Sequence, residues 1–153
     1  MPSTVSRGGP SRRRWVGVAA LATGLFAGAA HATMIDIHIT GVEDDRGHVR
    51  VELCTKQTFL TGACPYSATA PATAGETVVE VQAPPGEYAI QAYHDDTDSG
   101  HIHQNFLGIP KERIGFSNDA PLRLHGPRWD DAVIEVGTGL QSVTLRLRHL
   151  IGK

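Results

Sequence analysis

Residues 84–118 have the sequence PPGEYAIQAYHDDTDSGHIHQNFLGIPKERIGFSN, which joins a strand pattern to a long polar loop. The turn signal Pro84-Pro85-Gly86 comes first, and alternating apolar residues then predict a strand up to Tyr93. The segment after Tyr93 has neither a strand nor a helix period, and it contains three histidines and three aspartates. Ordered loops longer than about 15 residues are uncommon unless they bind or cover something, so a function is sought here first.

Alternating apolar and polar residues recur along the rest of the chain, as in strands that bury one face. On this pattern we predict strands at residues 35–39, 49–53, 77–81, 87–93, 132–136 and 142–150. We expect residues 41–47 to form a hairpin between the first two strands, and residues 66–75 to form an irregular connection. We expect no helix longer than two turns.

Strands with one apolar face must bury that face against another layer. The sequence therefore predicts an all-β protein, an antiparallel β-sandwich of about seven strands with one long ordered loop. An up-and-down barrel is the alternative, because its strands alternate in the same way.

The N-terminus has the three parts of a secretory signal. Arg12-Arg13-Arg14 precedes an uncharged run, and Ala30-His31-Ala32 supplies the small residues of a cleavage site. We predict a signal peptide over residues 1–32 and a single β-sandwich domain over residues 33–153. Residues 11–16 also resemble a twin-arginine signal, so both export routes stay open.

The predicted mature chain is acidic. All 16 Asp and Glu residues follow residue 32, whereas four of the 14 Lys and Arg residues precede it. Nucleic acids and anionic membranes are bound through basic patches, so we exclude nucleic acid as a partner. No later apolar run is long enough to span a bilayer, and no membrane insertion is expected after signal cleavage.

Cysteine usage indicates an oxidising compartment. Cys54 and Cys64 are the two cysteines of the chain, and we predict that they form a disulfide bond. A thiolate metal site is the alternative, although the close cysteine pairs of structural zinc sites are missing. Together with the signal, the disulfide predicts a periplasmic or secreted protein.

A series of short motifs follows the chain at fixed spacing: Pro85-Gly86-x-Tyr88-Ala89, His94-Asp95, Asn105-x-Leu107-Gly108-x-Pro110-x-Glu112, Gly115-Phe116-Ser117-Asn118 and Asp130-Asp131-Ala132. Over residues 34–150 these motifs resemble a family of small exported bacterial proteins, the domain-of-unknown-function family 2141. The resemblance implies a β-sandwich of transthyretin-like (prealbumin-like) or carboxypeptidase-regulatory-like character in the cell envelope. It implies no established reaction.

The loop of that family is similar to an oxygen-lined calcium loop, in which alternate side chains converge on one cation. In this chain the corresponding positions are Asp95, Thr97, Ser99, Gly100 and His103. Only one carboxylate stays in register, which disfavours calcium.

Histidine nitrogen in the same loop favours zinc or copper over calcium. The candidate metal ligands are His94, Asp95, Asp96, Asp98, His101 and His103. His101 and His103 would point the same way in an extended segment. A metal-free structural loop is the alternative.

Apolar residues of the loop are expected to pin it onto one end of the sandwich. The predicted loop-anchoring residues are Phe106, Leu107, Ile109, Phe116 and, as a turn or capping residue, Asn118. A ligand groove lined by these apolar residues is the alternative.

No catalytic motif is recognised in the sequence. We therefore predict a noncatalytic binding or structural module of the cell envelope, whose partner is an envelope protein or a small ligand. The alternative is a periplasmic metal-binding protein that uses residues 94–103, and a hydrolase is the residual alternative.

Overall fold

The computed structural model describes residue 3 and residues 31–105, 107–123 and 125–150. Most of the predicted signal peptide lies outside these residues. No helix in the described part of the chain is long and apolar enough to cross a membrane.

The described residues form eight strands, one 3₁₀ segment and one short helix. The strands are β1 Thr33–Val42, β2 His48–Cys54, β3 Tyr66–Pro71, β4 Gly75–Ala83, β5 Gly86–Asp95, β6 Ile114–Phe116, β7 Val133–Val136 and β8 Gln141–Arg146. The 3₁₀ segment is Ser117–Asp119, and the helix α1 is Trp129–Ala132.

The strands make two sheets. Sheet I has the order β4-β1-β8, and sheet II has the order β3-β2-β5, with β6 and β7 pairing side by side along the remaining edge of β5. All of these pairs are antiparallel except β1 with β8, which is parallel. The predicted all-β sandwich is confirmed, with eight strands in the described residues where about seven were expected.

The core lies between the inner faces of the two sheets. Its centre is made by alternate residues of β1 and β2, all fully buried: Ile35, Ile37, Ile39, Val49, Val51 and Leu53. Because side chains alternate along a strand, the residues between them form the outer faces of the sheets.

The predicted hairpin over residues 41–47 is wrong. β1 pairs with β4 and β8, whereas β2 pairs with β3 and β5, so the segment crosses from one sheet to the other. Alternation shows which face of a strand is buried but does not identify its pairing partner. Gly47 ends the crossing with φ +65°, and a Cβ there would lie 2.0 Å from the carbonyl oxygen of Asp95.

The irregular connection predicted over residues 66–75 is also wrong, because Tyr66–Pro71 is strand β3. This strand lies at the edge of sheet II, and among the described strands it pairs with β2 alone. Its alternate side chains are half-buried and exposed, so its hydrophobic pattern is weak. Pro71 is compatible with an edge position, where one side of the strand needs no ladder hydrogen bonds.

The predicted disulfide between Cys54 and Cys64 is confirmed. It fixes a turn-rich segment, residues 55–63, to the end of β2. Within this segment the Phe59 ring packs edge-to-face against Phe116 and Trp129, with ring centroids 5.9 Å and 5.8 Å away. A second apolar cluster thereby forms on the outer face of sheet II.

Candidate functional site

The long loop, residues 96–113, connects β5 to β6 and folds back on itself. The backbone N–H of Lys111 donates to the carbonyl of His103, and the N–H of Asn105 donates to that of Ile109. Ile102 packs against the outer apolar cluster of sheet II. The long loop therefore covers part of that outer face.

Asp95 fixes the start of the long loop. Its side chain is 1% exposed, and one oxygen accepts hydrogen bonds from Arg50 Nε at 2.7 Å and Gly100 N at 2.8 Å. The other oxygen accepts from Ser99 N at 2.9 Å and Ser99 Oγ at 3.2 Å. Asp95 thus joins β5, β2 and the first turn of the loop.

Burial raises the pKa of Asp95, but hydrogen bonds from the Gly100 backbone, the Arg50 guanidinium and the Ser99 backbone outweigh it and lower the pKa to about 2. The carboxylate is ionised, and donors within the protein already occupy it. Asp95 was predicted as a metal ligand, but its contacts are those of a structural residue.

The neighbouring acids of the loop also have partners within the chain. Asp96 lies 3.3 Å from Arg46 Nη2, and Asp98 lies 2.5 Å from His48 Nδ1. His48 is on β2. These exposed pairs link the loop to its surroundings and are worth little individually.

The three histidines predicted as metal ligands have different hydrogen-bond partners. His94 is 5% exposed, and its Nε2 lies 2.8 Å from the carbonyl oxygen of Arg46. His101 Nδ1 lies 3.0 Å from the Ser99 carbonyl, and His103 Nδ1 lies 2.6 Å from Glu112 Oε1. The rings of His101 and His103 are neighbours, with centroids 4.7 Å apart.

The six predicted metal ligands do not converge on one point. Among the described residues, the one group of three or more candidate donors within 4.8 Å of one another is Glu52, Cys54 and Cys64. Both cysteines of that group are in the disulfide and offer no thiolate. The structure therefore contains no preformed metal site made of the predicted residues.

The residues predicted to anchor the loop differ in how deeply they are buried. Phe116 is 5% exposed and belongs to the outer cluster, and Ile109 is half-buried. Asn118 has φ +57° and donates through Nδ2 to the carbonyl of Val133. Leu107 is 67% exposed, so its predicted anchoring role is wrong. Phe106 lies outside the described residues.

Leu107 is exposed because Asn105 holds the tip of the loop in a tight turn. Asn105 Oδ1 accepts hydrogen bonds from the backbone N–H of Leu107 at 2.9 Å and of Ile109 at 3.1 Å. The Gly108 N–H donates to the Asn105 carbonyl at 2.9 Å. Such a side-chain-closed turn points the residue at its apex away from the core.

A cavity of about 490 Å³, which we name the sheet cavity, lies between the long loop and the outer face of sheet II. Its apolar lining includes Tyr93, Ile102, Pro110, Ile114 and Phe116. Its polar lining includes Glu52, Gln91, His101, Gln104, Arg123 and His125. Its size is within the range of pockets that hold small molecules.

The sheet cavity contains residues that the sequence analysis did not select. Glu52 and Gln91 are paired across β2 and β5 and lie at its wall. Their polar character and outer-face position were readable from the alternation. The alternation does not show that the long loop covers them.

A second cavity, which we name the polar cavity, has a volume of about 370 Å³. Its lining is rich in histidine and in charged side chains of both signs: His94, His103, His149, Asp44, Asp96, Glu112, Arg46, Lys111 and Arg113. The Glu112 side chain is 7% exposed. Its Oε1 accepts from the N–H and Nδ1 of His103, whereas its Oε2 is buried with no hydrogen-bond partner in the described part of the chain.

Two stacked sheets with a loop-covered outer face define a small β-sandwich protein. The family described as "Uncharacterized protein conserved in bacteria (DUF2141)" matches residues 37–144, which is more than half of the chain. The protein belongs to this family, and the resemblance found in the sequence is confirmed. Neither the curated proteins nor the solved structures contain a match.

We expect Asp95→Asn to lower the free energy of unfolding by about 2 kcal/mol at pH 7, because the carboxylate pKa is about 2 in the folded protein and 3.8 ordinarily. An acid whose pKa is lower in the folded than in the unfolded protein stabilises the fold at pH values above its unfolded pKa. This stabilisation is lost as the pH falls through the folded pKa. The difference from wild type should therefore shrink between about pH 4 and pH 2.

Urea unfolding across this pH range measures the effect of Asp95→Asn. Asp36→Asn, on the outer face of sheet I, is the matched control and should change stability little. Equal stability of wild type and Asp95→Asn at pH 7 would contradict the structural role of Asp95.

Proposed function

We propose that the protein is an exported, noncatalytic binding module and that the sheet cavity holds a small ligand. The observation that carries the proposal is a cavity of about 490 Å³ with an apolar floor and a polar wall. Ligand sites typically combine these two surfaces, because the apolar part supplies affinity and the polar groups fix orientation.

The walls of the sheet cavity are fixed by interactions that keep it open. The disulfide holds residues 60–62 at one side, and Asp95 holds Gly100 and the following loop at another. Tyr93 and Phe116 at the floor are 8% and 5% exposed and are packed in the outer cluster. A preformed site of this kind binds without a large ordering cost.

Export is supported by the disulfide and by the signal-like sequence of residues 1–32. The noncatalytic part of the proposal rests on the sequence, in which no catalytic motif is recognised. The Glu52 carboxylate at its wall receives a hydrogen bond from the Gln91 amide, an arrangement suited to recognition.

Metal binding at the polar cavity is a second candidate function, favoured by the unpaired Oε2 of Glu112. A buried carboxylate oxygen without a partner calls for a cation, a water or a ligand group. His103 and His149 line the same cavity and supply the nitrogen that zinc or copper prefers. Binding here would require His149 to approach the His103–Glu112 pair.

We expect the purified protein to bind one molecule of the neutral dye N-phenyl-1-naphthylamine in the sheet cavity, with a rise in dye fluorescence. Ile102→Trp should weaken binding about tenfold or more, because the larger ring fills the cavity. Val78→Trp adds the same group to the exposed outer face of sheet I and should leave binding unchanged. Absent binding, or equal binding by all three proteins, would contradict the proposal.

For the second candidate, we expect calorimetric titration of chelator-stripped protein to detect one zinc ion per chain. Glu112→Gln and His103→Ala should each reduce the affinity about tenfold or more, since each removes a ligand. His38→Ala, on β1 in sheet I, is the control. No heat of binding, or equal affinities in all variants, would exclude metal binding at the polar cavity.

A further inference from the structure

We infer that the ligand of the sheet cavity is an organic ammonium ion with an apolar body, and that the Glu52 carboxylate receives the ammonium group. The inference rests on the proposed binding function and specifies its ligand class. It follows from the charge of the cavity wall, the aromatic floor and the hydrogen-bonding capacity left free there.

Glu52 has a negative charge that no cation in the described chain balances. It lies on β2 directly opposite Gln91 of β5, and Gln91 Nε2 donates to Glu52 Oε2. This partner is a neutral amide. The ion pairs formed by the described residues include none with Glu52, and its Oε1 accepts no hydrogen bond from them.

An uncharged disulfide lies beside Glu52. A carboxylate oxygen of Glu52 lies within 4.8 Å of the sulfur atoms of Cys54 and Cys64, which form an uncharged disulfide. The half-buried carboxylate is thus only partly solvated. A ligand cation that replaces the lost water would be held more strongly than at an exposed acid.

Arg123, which also lines the sheet cavity, already has an ion partner. Arg123 Nη2 lies 3.5 Å from Asp131 Oδ2, so its guanidinium has a carboxylate partner. His101 Nδ1 lies 3.0 Å from the Ser99 carbonyl, which is a partner within its own loop. The unbalanced charge of the wall is therefore that of Glu52.

The floor of the sheet cavity suits the rest of such a ligand. Tyr93 and Phe116 supply the aromatic part of the lining, and Ile102 and Ile114 add aliphatic surface, so the floor suits an apolar body. An amine with an aryl or alkyl body would use the apolar floor and the carboxylate together.

Three phenyl probes of similar size separate charge from shape: 2-phenylethylamine, 2-phenylethanol and phenylacetate. In calorimetric titrations of the purified protein at pH 7, we expect the amine to bind about tenfold more tightly than the alcohol, with phenylacetate weakest. Glu52→Gln keeps the shape of the side chain and should abolish the preference for the amine over the alcohol. Glu80→Gln, on the outer face of sheet I, should behave as wild type.

Salt dependence supplies a measurement on the wild-type protein if Glu52→Gln does not fold. Raising the ionic strength should weaken binding of the amine and leave binding of the alcohol unchanged. Equal affinities for amine and alcohol, or a preference that survives in Glu52→Gln, would overturn the ammonium inference alone. If neither N-phenyl-1-naphthylamine nor any of the three probes binds, the proposed binding function is overturned as well.

Discussion

The hydrogen-bonded Asp95 carboxylate is the interaction on which the functional surface depends. It lies at the last residue of β5 and receives donors from Arg50 on β2 and from Ser99 and Gly100 in the long loop. This contact turns the chain back over sheet II as it leaves the strand. Without it, the start of the loop loses the hydrogen bonds that place Gly100 at the wall of the sheet cavity.

Strand alternation at the end of β5 assigns neighbouring residues to different cavities. Tyr93 and Asp95 face outward, where Tyr93 forms the floor of the sheet cavity. His94 faces the opposite way and lines the polar cavity. Because side chains alternate along β5, neighbouring residues of this strand line the apolar floor of the sheet cavity and the charged wall of the polar cavity.

The sequence predicted the layers of this protein better than their connections. Apolar alternation located β1 and β2, because burying one face of a strand determines that pattern. It did not show that β1 pairs with β4 and β8, since pairing depends on the whole sandwich. The sequence predicted which loop residues can bind a metal, but it could not show that Arg50 and backbone N–H groups already occupy the Asp95 carboxylate.

Amide hydrogen exchange at Ser99 and Gly100, measured by NMR, tests most directly whether the long loop is an ordered cover. Both N–H groups donate to the buried Asp95 carboxylate, so exchange requires a local opening of the loop. The account predicts exchange slowed by about 100-fold or more relative to an unstructured peptide. Exchange at the unprotected rate in the folded protein would contradict it.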